Sequence, residues 1–307
     1  MPELPDLTIY VERLQPRIVG RTLENVRIAS PFILRTVEPD IEEANGKKVT
    51  ALHRIGKRIV FELEDDLFLV IHLMIAGRFH WKKPKASVPK KLGHAAFDFP
   101  TGTLLLTEAS TKKRASLHLV RGKSSLARFD RGGLEVLDSS FEAFGAALAK
   151  ESHTIERALT DPRLLSAIGN AYSDEILHRA RLSPLKLTRR LTEEEVDRLH
   201  RATISTLREW IERLRAETGS DFPEKVTAFH KEMAVHGRFG KPCPVCGAKV
   251  QRIVYAENQC NYCPRCQRGG KLLSDRSLAR LLKEDWPRTI DELESLETKR
   301  AASNITP

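Results

Sequence analysis

The sequence has no cysteine before residue 243. It also has no internal repeat, no low-complexity tract and no run of about 18 apolar residues such as a membrane-spanning helix requires. Its first ten residues, MPELPDLTIY, have neither the basic start nor the apolar stretch of a secretory signal. These absences argue against a membrane span, a disulfide-stapled secreted scaffold and a repeat array, so a folded cytoplasmic protein is expected. With 307 residues, 41% of them hydrophobic, the chain can bury the core of two domains or of one large one. Lysine and arginine exceed the acids by 51 to 41, a formal charge of +10. That balance suits a polyanionic partner, but it also describes many proteins that bind no nucleic acid.

Four of the five cysteines form two pairs, Cys243-Pro-Val-Cys246 and Cys263-Pro-Arg-Cys266, with sixteen residues between them. Two such knuckles at this separation match a structural zinc site, in which four thiolates close a tetrahedron and leave no open position for catalysis. Gly247 follows the first pair, where a positive φ turns backbone amides toward the sulfurs. Two disulfides are the alternative, disfavoured inside a cell. Cys260, three residues before Cys263, either competes for the metal or is a small buried residue. One structural Zn2+ is expected, held by Cys243, Cys246, Cys263 and Cys266.

The first third of the chain alternates like strands. Arg58–Leu63 and Leu67–His72 flank Glu64-Asp65-Asp66, a hairpin signal. Short strands are also expected at Leu23–Ile28, Lys48–Leu52, Ala95–Phe99 and Thr103–Thr107, after a helix from about Asp6 to Val19. Together they suggest a β-sandwich. From about Ser140 the pattern turns helical. Thr192 and Glu195 form a capping box, and Val196, Leu199, Thr203, Leu207, Trp210, Ile211 and Leu214 fall on one helical face. The segments Ser274–Glu284 and Thr289–Lys299 read as helices of a partly acidic tail. The fold class is therefore α+β, an amino-terminal β-sandwich with flanking helices followed by a helical domain and a four-cysteine zinc finger.

Met-Pro2-Glu3-Leu-Pro5, Lys57 in a strand hairpin, Gly169-Asn170 and the carboxy-terminal four-cysteine finger occur in an order that resembles the formamidopyrimidine-DNA glycosylase and endonuclease VIII family. His72-Leu73, Asn170-Ala-Tyr172 with Glu175, and Val235-His-Gly-Arg-Phe-Gly-Lys-Pro-Cys243-Pro-Val-Cys246-Gly reinforce the likeness, which runs from Pro2 to about Gln267. The resemblance implies a catalytic β-sandwich over residues 1–135, a helix-two-turn-helix DNA-binding domain over 136–235 and a finger over 236–270; the helical tail over 271–307 exceeds what the family needs. It implies a monomeric DNA-repair glycosylase with AP lyase activity that flips a damaged nucleotide out of double-stranded DNA, with no membrane and no small-molecule redox cofactor among its partners.

By the same resemblance Pro2, freed of Met1, is the nucleophile. A secondary α-amine, with a reference pKa of about 7.7–8.0, attacks C1′ and forms an iminium. Glu3 is the general acid and base. Lys57 holds a phosphate beside the lesion, and Asn170 binds phosphate from the helical motif; these contacts position the DNA without reading bases. Singly, each residue has an ordinary alternative: Glu3 as a helix amino-terminal charge, Lys57 as a solvated edge-strand lysine, Asn170 as a turn residue.

Several positions depart from the family pattern. Asp6 stands where glutamate is more usual. The residue filling the void left by the flipped base is either Ile75 or its neighbour Met74. The loop Thr107–Ser116 has no aromatic wedge, and its Lys112, Lys113 and Arg114 either contact the opposite strand or form a solvated charged loop. Asn258 stands where a fingertip arginine is usual, leaving a neutral hydrogen-bond donor for phosphate, with Arg252 and Arg265 the nearest cations. The Gly- and Thr-rich loop that closes over 8-oxoguanine in relatives is absent between Arg215 and Phe222. A second reading of the same features is a non-catalytic zinc-finger protein that binds abasic or distorted DNA.

Overall fold

Strands rich in branched and aromatic residues build two antiparallel sheets that share one core, and Leu67–Ile71 and Gly102–Glu108 are buried on both faces. The computed structural model describes residues 1–224, 226–255, 258–273 and 287–303. One sheet contains β1 (Thr22–Leu23), β3 (Lys47–Ile55), β4 (Arg58–Leu63), β5 (Leu67–His72) and β9 (Ser116–Arg121), in the order β1-β3-β4-β5-β9. The other contains β2 (Asn25–Ile28), β6 (Gly77–Lys82), β7 (Gly93–Phe99) and β8 (Gly102–Glu108), in the order β2-β7-β8-β6. The segment expected as one strand from Leu23 to Ile28 is thus two, because the chain leaves the first sheet at Leu23 and joins the second at Asn25. Ile59, Phe61, Leu69, Ile71, Leu117 and Leu119 of the first sheet share one buried cluster with Phe79, Phe97, Leu104 and Leu106 of the second. Phe61 meets Phe97 edge-on at 5.9 Å between ring centroids.

Helix α1 (Leu4–Ile18) adds Leu7, Tyr10, Leu14 and Ile18 to this core at helical spacing. Each of the aliphatic ones contributes roughly 1.5–3 kcal/mol by leaving water. The hairpin between β4 and β5 turns through Asp65 and Asp66, both at positive φ, and pairs Leu63 with Leu67. Strands β6 and β9 were not expected from the sequence.

The chain divides into two compact units, Met1–Gly133 with Leu207–Ala228, and Leu134–Thr206 with Phe229–Pro307. In the first unit, Phe222 lies 5.7 Å from the ring of Tyr10 and 6.4 Å from that of Trp81, and Glu224 bonds Lys82 and His80. The second unit holds α2 (Phe141–Ala149), α3 (Ile155–Thr160), α4 (Asn170–Ala180) and the start of α5 (Glu193–Thr218). The capping box of α5 is present: the Thr192 N–H donates to Glu195 Oε2 at 3.0 Å, and the Glu195 N–H to Thr192 Oγ1 at 3.3 Å.

The finger consists of the antiparallel pair β10 (Gln251–Tyr255) and β11 (Asn258–Tyr262), with α6 (Pro264–Arg268) carrying the second knuckle. The expected helix Ser274–Glu284 lies outside the described residues. The next one is α7 (Ile290–Ser303), whose Ile290 is buried among Val235, Cys243, Val250 and Cys263, while Asp291 bonds Arg265. Among the described residues no helix is long and apolar enough to cross a membrane.

Candidate active site and metal centre

Helix α1 starts where Pro5 fixes the backbone of its first turn and Glu3 serves as the N-cap. Glu3 and Asp6 form a reciprocal capping box, in which the Glu3 N–H donates to Asp6 Oδ2 at 2.9 Å and the Glu3 carboxylate faces the Asp6 N–H. This fixes Glu3 beside the amino terminus. Pro2, Glu3 and Asp6 are all buried. The terminal ammonium, carried by Met1 in this sequence, is pulled below its ordinary value by burial. Arg78 and Lys57 push the same way, while Glu3 and Asp6 oppose them. Asp6 is pushed up to about 7, first by burial and then by the charge of Glu3, against the stabilising Glu3 N–H.

Lys57 is placed by the turn between β3 and β4, where Gly56 takes φ +55°. The lysine therefore sits at the end of the hairpin and not along an exposed edge. It is half-buried, and burial lowers its pKa while the charge of Glu3 works against that shift. The structure thus brings together the amino terminus, Glu3, Asp6, Lys57 and Arg78.

Beside this group lies a residue for which the sequence reading named no role. His72 pairs with Arg58 across β4 and β5, and its buried Nδ1 has no hydrogen-bond partner. Burial, then the charges of Arg58, Lys57 and His118, hold its pKa down to about 3, so the ring is neutral near pH 7. Its signal in the sequence is indirect, the hairpin spacing that sets His72 opposite the residue after Lys57.

The other predicted contact residues lie apart in the chain. Lys112, Lys113 and Arg114 are exposed on the β8–β9 loop. That loop is held by Glu108, whose buried carboxylate accepts the N–H groups of Arg114 at 3.0 Å and Ala115 at 3.2 Å and meets His94 at 3.2 Å. In the turn before β6, Ile75 is 56% exposed and Met74 is half-buried at positive φ, so Ile75 is the residue presented outward. In the second unit, Asn170 is the first residue of α4, after the N-cap Gly169. The positive end of the helix dipole favours an anion at this end. Asn258 begins β11, and its side chain lies outside the described residues.

The cysteines satisfy the requirements of a zinc tetrahedron. All five are free thiols. Cys246 Sγ lies 3.4 Å from Cys263 Sγ, and Cys243 Sγ lies 3.9 Å from Cys266 Sγ. These separations bracket the edge of about 3.8 Å that follows from Zn–S bonds of about 2.3 Å in a tetrahedron. Gly247, at φ +76°, returns its N–H to the Cys243 carbonyl and closes the first knuckle. The four cysteines would hold one zinc ion as a closed, folding-directed site. Donor atoms of His178, Cys243, Cys263 and Cys266 also fall within 4.8 Å of one another, so a histidine adjoins the cluster. Cys260 is buried on β11 opposite Ile253, outside this group and beside Asp174.

Residues 1–115 match the family profile described as the formamidopyrimidine-DNA glycosylase N-terminal domain. Residues 133–221 match the corresponding H2TH domain, and residues 240–269 match the zinc finger found in FPG and IleRS. The chain is 32% identical over 279 residues to a formamidopyrimidine-DNA glycosylase of Desulfitobacterium hafniense, covering 87% of this chain and 100% of that one. It is 35% identical over 279 residues to the enzyme of that name from Thermus thermophilus, covering 88% of this chain and 100% of the relative. Its fold is similar to that of a Lactococcus lactis FPG mutant in complex with DNA containing Fapy-dG, with a TM-score of 0.77 and 28% identity over 87% of this chain and 100% of that one.

Proposed function

Because the chain belongs to the formamidopyrimidine-DNA glycosylase family, a family of DNA-repair glycosylases with AP lyase activity and one structural zinc, we propose that Pro2, Glu3 and Lys57 carry its chemistry on damaged double-stranded DNA. The observation that supports this assignment best is the half-buried amino terminus, with Pro2 buried behind it, beside Glu3 and Lys57 at the first turn of α1. Removal of Met1 moves the terminal amine one residue along, onto Pro2, within the same group of charges. A secondary amine kept below its ordinary pKa is nucleophilic near neutrality.

The Pro2 nitrogen forms a bond to C1′ as the bond from C1′ to the base breaks, and the base leaves with a proton. Glu3 donates a proton to the sugar ring oxygen, the ring opens, and the amine proton is lost to give the iminium. The iminium acidifies the C2′ proton, whose removal expels the 3′ phosphate by β-elimination; the reaction either stops there or continues through δ-elimination, which releases the 5′ phosphate. Lys57, with Arg58 and His72 at the ends of β4 and β5, supports phosphate binding beside the lesion, and Asn170 at the start of α4 supports a second phosphate contact. Lys112, Lys113 and Arg114 are assigned to the opposite strand, and Asn258 to a neutral phosphate contact from the finger. In this reading residues 1–135 are catalytic, 136–235 and 236–270 bind DNA, and 271–307 form a tail. The protein works as a cytoplasmic monomer without a redox cofactor.

The test is incubation with duplexes carrying one oxidised or ring-opened base. The native protein breaks the strand at the lesion, and Glu3→Gln lowers base release by about 10²- to 10⁴-fold while DNA binding persists. Binding without any strand break over a panel of lesions would instead favour the non-catalytic reading.

A further inference from the structure

Four thiolates on one divalent ion leave a net charge of −2, and in this finger two of the sulfurs belong to cysteines with almost no exposure, Cys243 at 2% and Cys263 at 0%. Charge placed away from water needs N–H donors around it. Cys263 Sγ accepts the Cys266 N–H at 3.4 Å, and Cys246 draws on the Ala248 N–H. Cys243 is served differently. The ring Nε2 of His178, 65 residues earlier in the chain and itself buried, lies 3.3 Å from Cys243 Sγ.

His178 belongs to α4, and Asp174 and Glu175 stand four and three residues before it, on the same helical face. Both carboxylates also reach the finger side of this unit. Asp174 Oδ2 accepts from the Asn261 backbone N–H at 3.0 Å and from its Nδ2 at 2.9 Å. Glu175 accepts the N–H groups of Ala234, Val235 and His236 at 2.7–2.9 Å. One face of α4 therefore binds the segment before the first knuckle, the hairpin and one zinc-binding sulfur.

We infer that His178 is a positioning residue of the zinc site: its Nε2–H donates a hydrogen bond to the Cys243 thiolate and ties the metal cluster to α4. The two knuckles already supply four sulfurs at tetrahedral separations, so a ligating imidazole would have to displace one of them. A hydrogen bond to a buried thiolate spreads its charge, so its loss leaves the sulfur easier to oxidise and easier to protonate off the metal, and such outer partners alter metal binding by about 10- to 100-fold.

The experiment compares full-length native protein with His178→Phe, which keeps a planar ring and loses the donor, and with His178→Gln, whose amide N–H reaches a similar position. Loaded with cobalt(II), all three are expected to bind one ion per chain with the visible bands of a tetrathiolate site. In His178→Phe the sulfur-to-cobalt charge-transfer band moves to lower energy, and a chelator removes zinc about ten-fold faster. His178→Gln restores most of both. Should His178→Phe not fold, His178→Asn replaces it, because the shorter amide does not reach: a shift in Asn but not in Gln supports the hydrogen bond, and equal bands overturn it. Unchanged band and release rate in His178→Phe make the ring a packing residue. A three-sulfur, one-nitrogen spectrum in the native protein, or loss of the metal from the variants, makes it a ligand. Either result overturns the inference.

Discussion

Asp6 is 3% exposed, and it accepts the N–H of Glu3, the residue assigned to proton transfer. Its side chain is one methylene shorter than the more usual glutamate, and in this structure it serves to cap α1 and to orient Glu3. The same burial that raises its pKa to about 7 has a consequence for stability. The folded value lies above the ordinary carboxylate value, so the folded state holds the proton more tightly. The contribution of Asp6 is full below about pH 4 and is lost as the pH rises toward about 7, at about 1.4 kcal/mol per pH unit within that window. Denaturation of the native protein and of Asp6→Asn at pH 5 and pH 7 should show the native protein losing stability relative to the variant at the higher pH. A difference independent of pH would show that the carboxyl is not held protonated.

Among the elements, α4 depends on residues distant in sequence. Removing the Glu175 carboxylate leaves the amides of Ala234, Val235 and His236 without their acceptor, at a cost of roughly 1–3 kcal/mol for a buried unpaired group and more for several. Glu175→Ala is therefore expected to lose about 2–4 kcal/mol in denaturant titration, with Glu175→Gln between it and the native protein; a loss under about 0.5 kcal/mol would contradict this account of the element. Little of this network was legible in the sequence, because Asp174, Glu175 and His178 meet partners about 60 residues or more away, and no local spacing announces such pairs. What local chemistry dictates was legible: the capping box of α5, the hairpin of β4 and β5, and the two zinc knuckles. The missed β6 carries the expected alternation, with Phe79 and Trp81 between Arg78, His80 and Lys82. It starts at Gly77, however, which is buried without supplying a side chain to the apolar pattern. His72 was passed over for a different reason. Its meaning comes from facing Arg58 across two strands, and register is set by pairing that the sequence specifies only indirectly.

For the whole molecule, every cysteine lies in the unit that contains the finger, and the β-sandwich has none. Metal-coupled folding of a small finger stabilises it by up to about 10–16 kcal/mol in isolated peptides. Chelation is thus expected to abolish binding to duplex DNA, followed by fluorescence anisotropy, while hydrogen exchange still protects the core amides of β4, β5 and β8. Unchanged affinity in a verified metal-free protein would show that the finger does not contribute to binding.

The central claim is that the amine of Pro2 is the nucleophile, and borohydride trapping on duplex DNA with an abasic site tests it most directly. The protein is first shown by mass to have lost Met1, because a retained methionine leaves the Pro2 nitrogen as an unreactive amide. The account predicts a covalent adduct from the native protein, mapped to the amino-terminal peptide and sharply reduced in Pro2→Gly. No adduct from the processed protein, or an adduct of equal yield in Pro2→Gly, would contradict it.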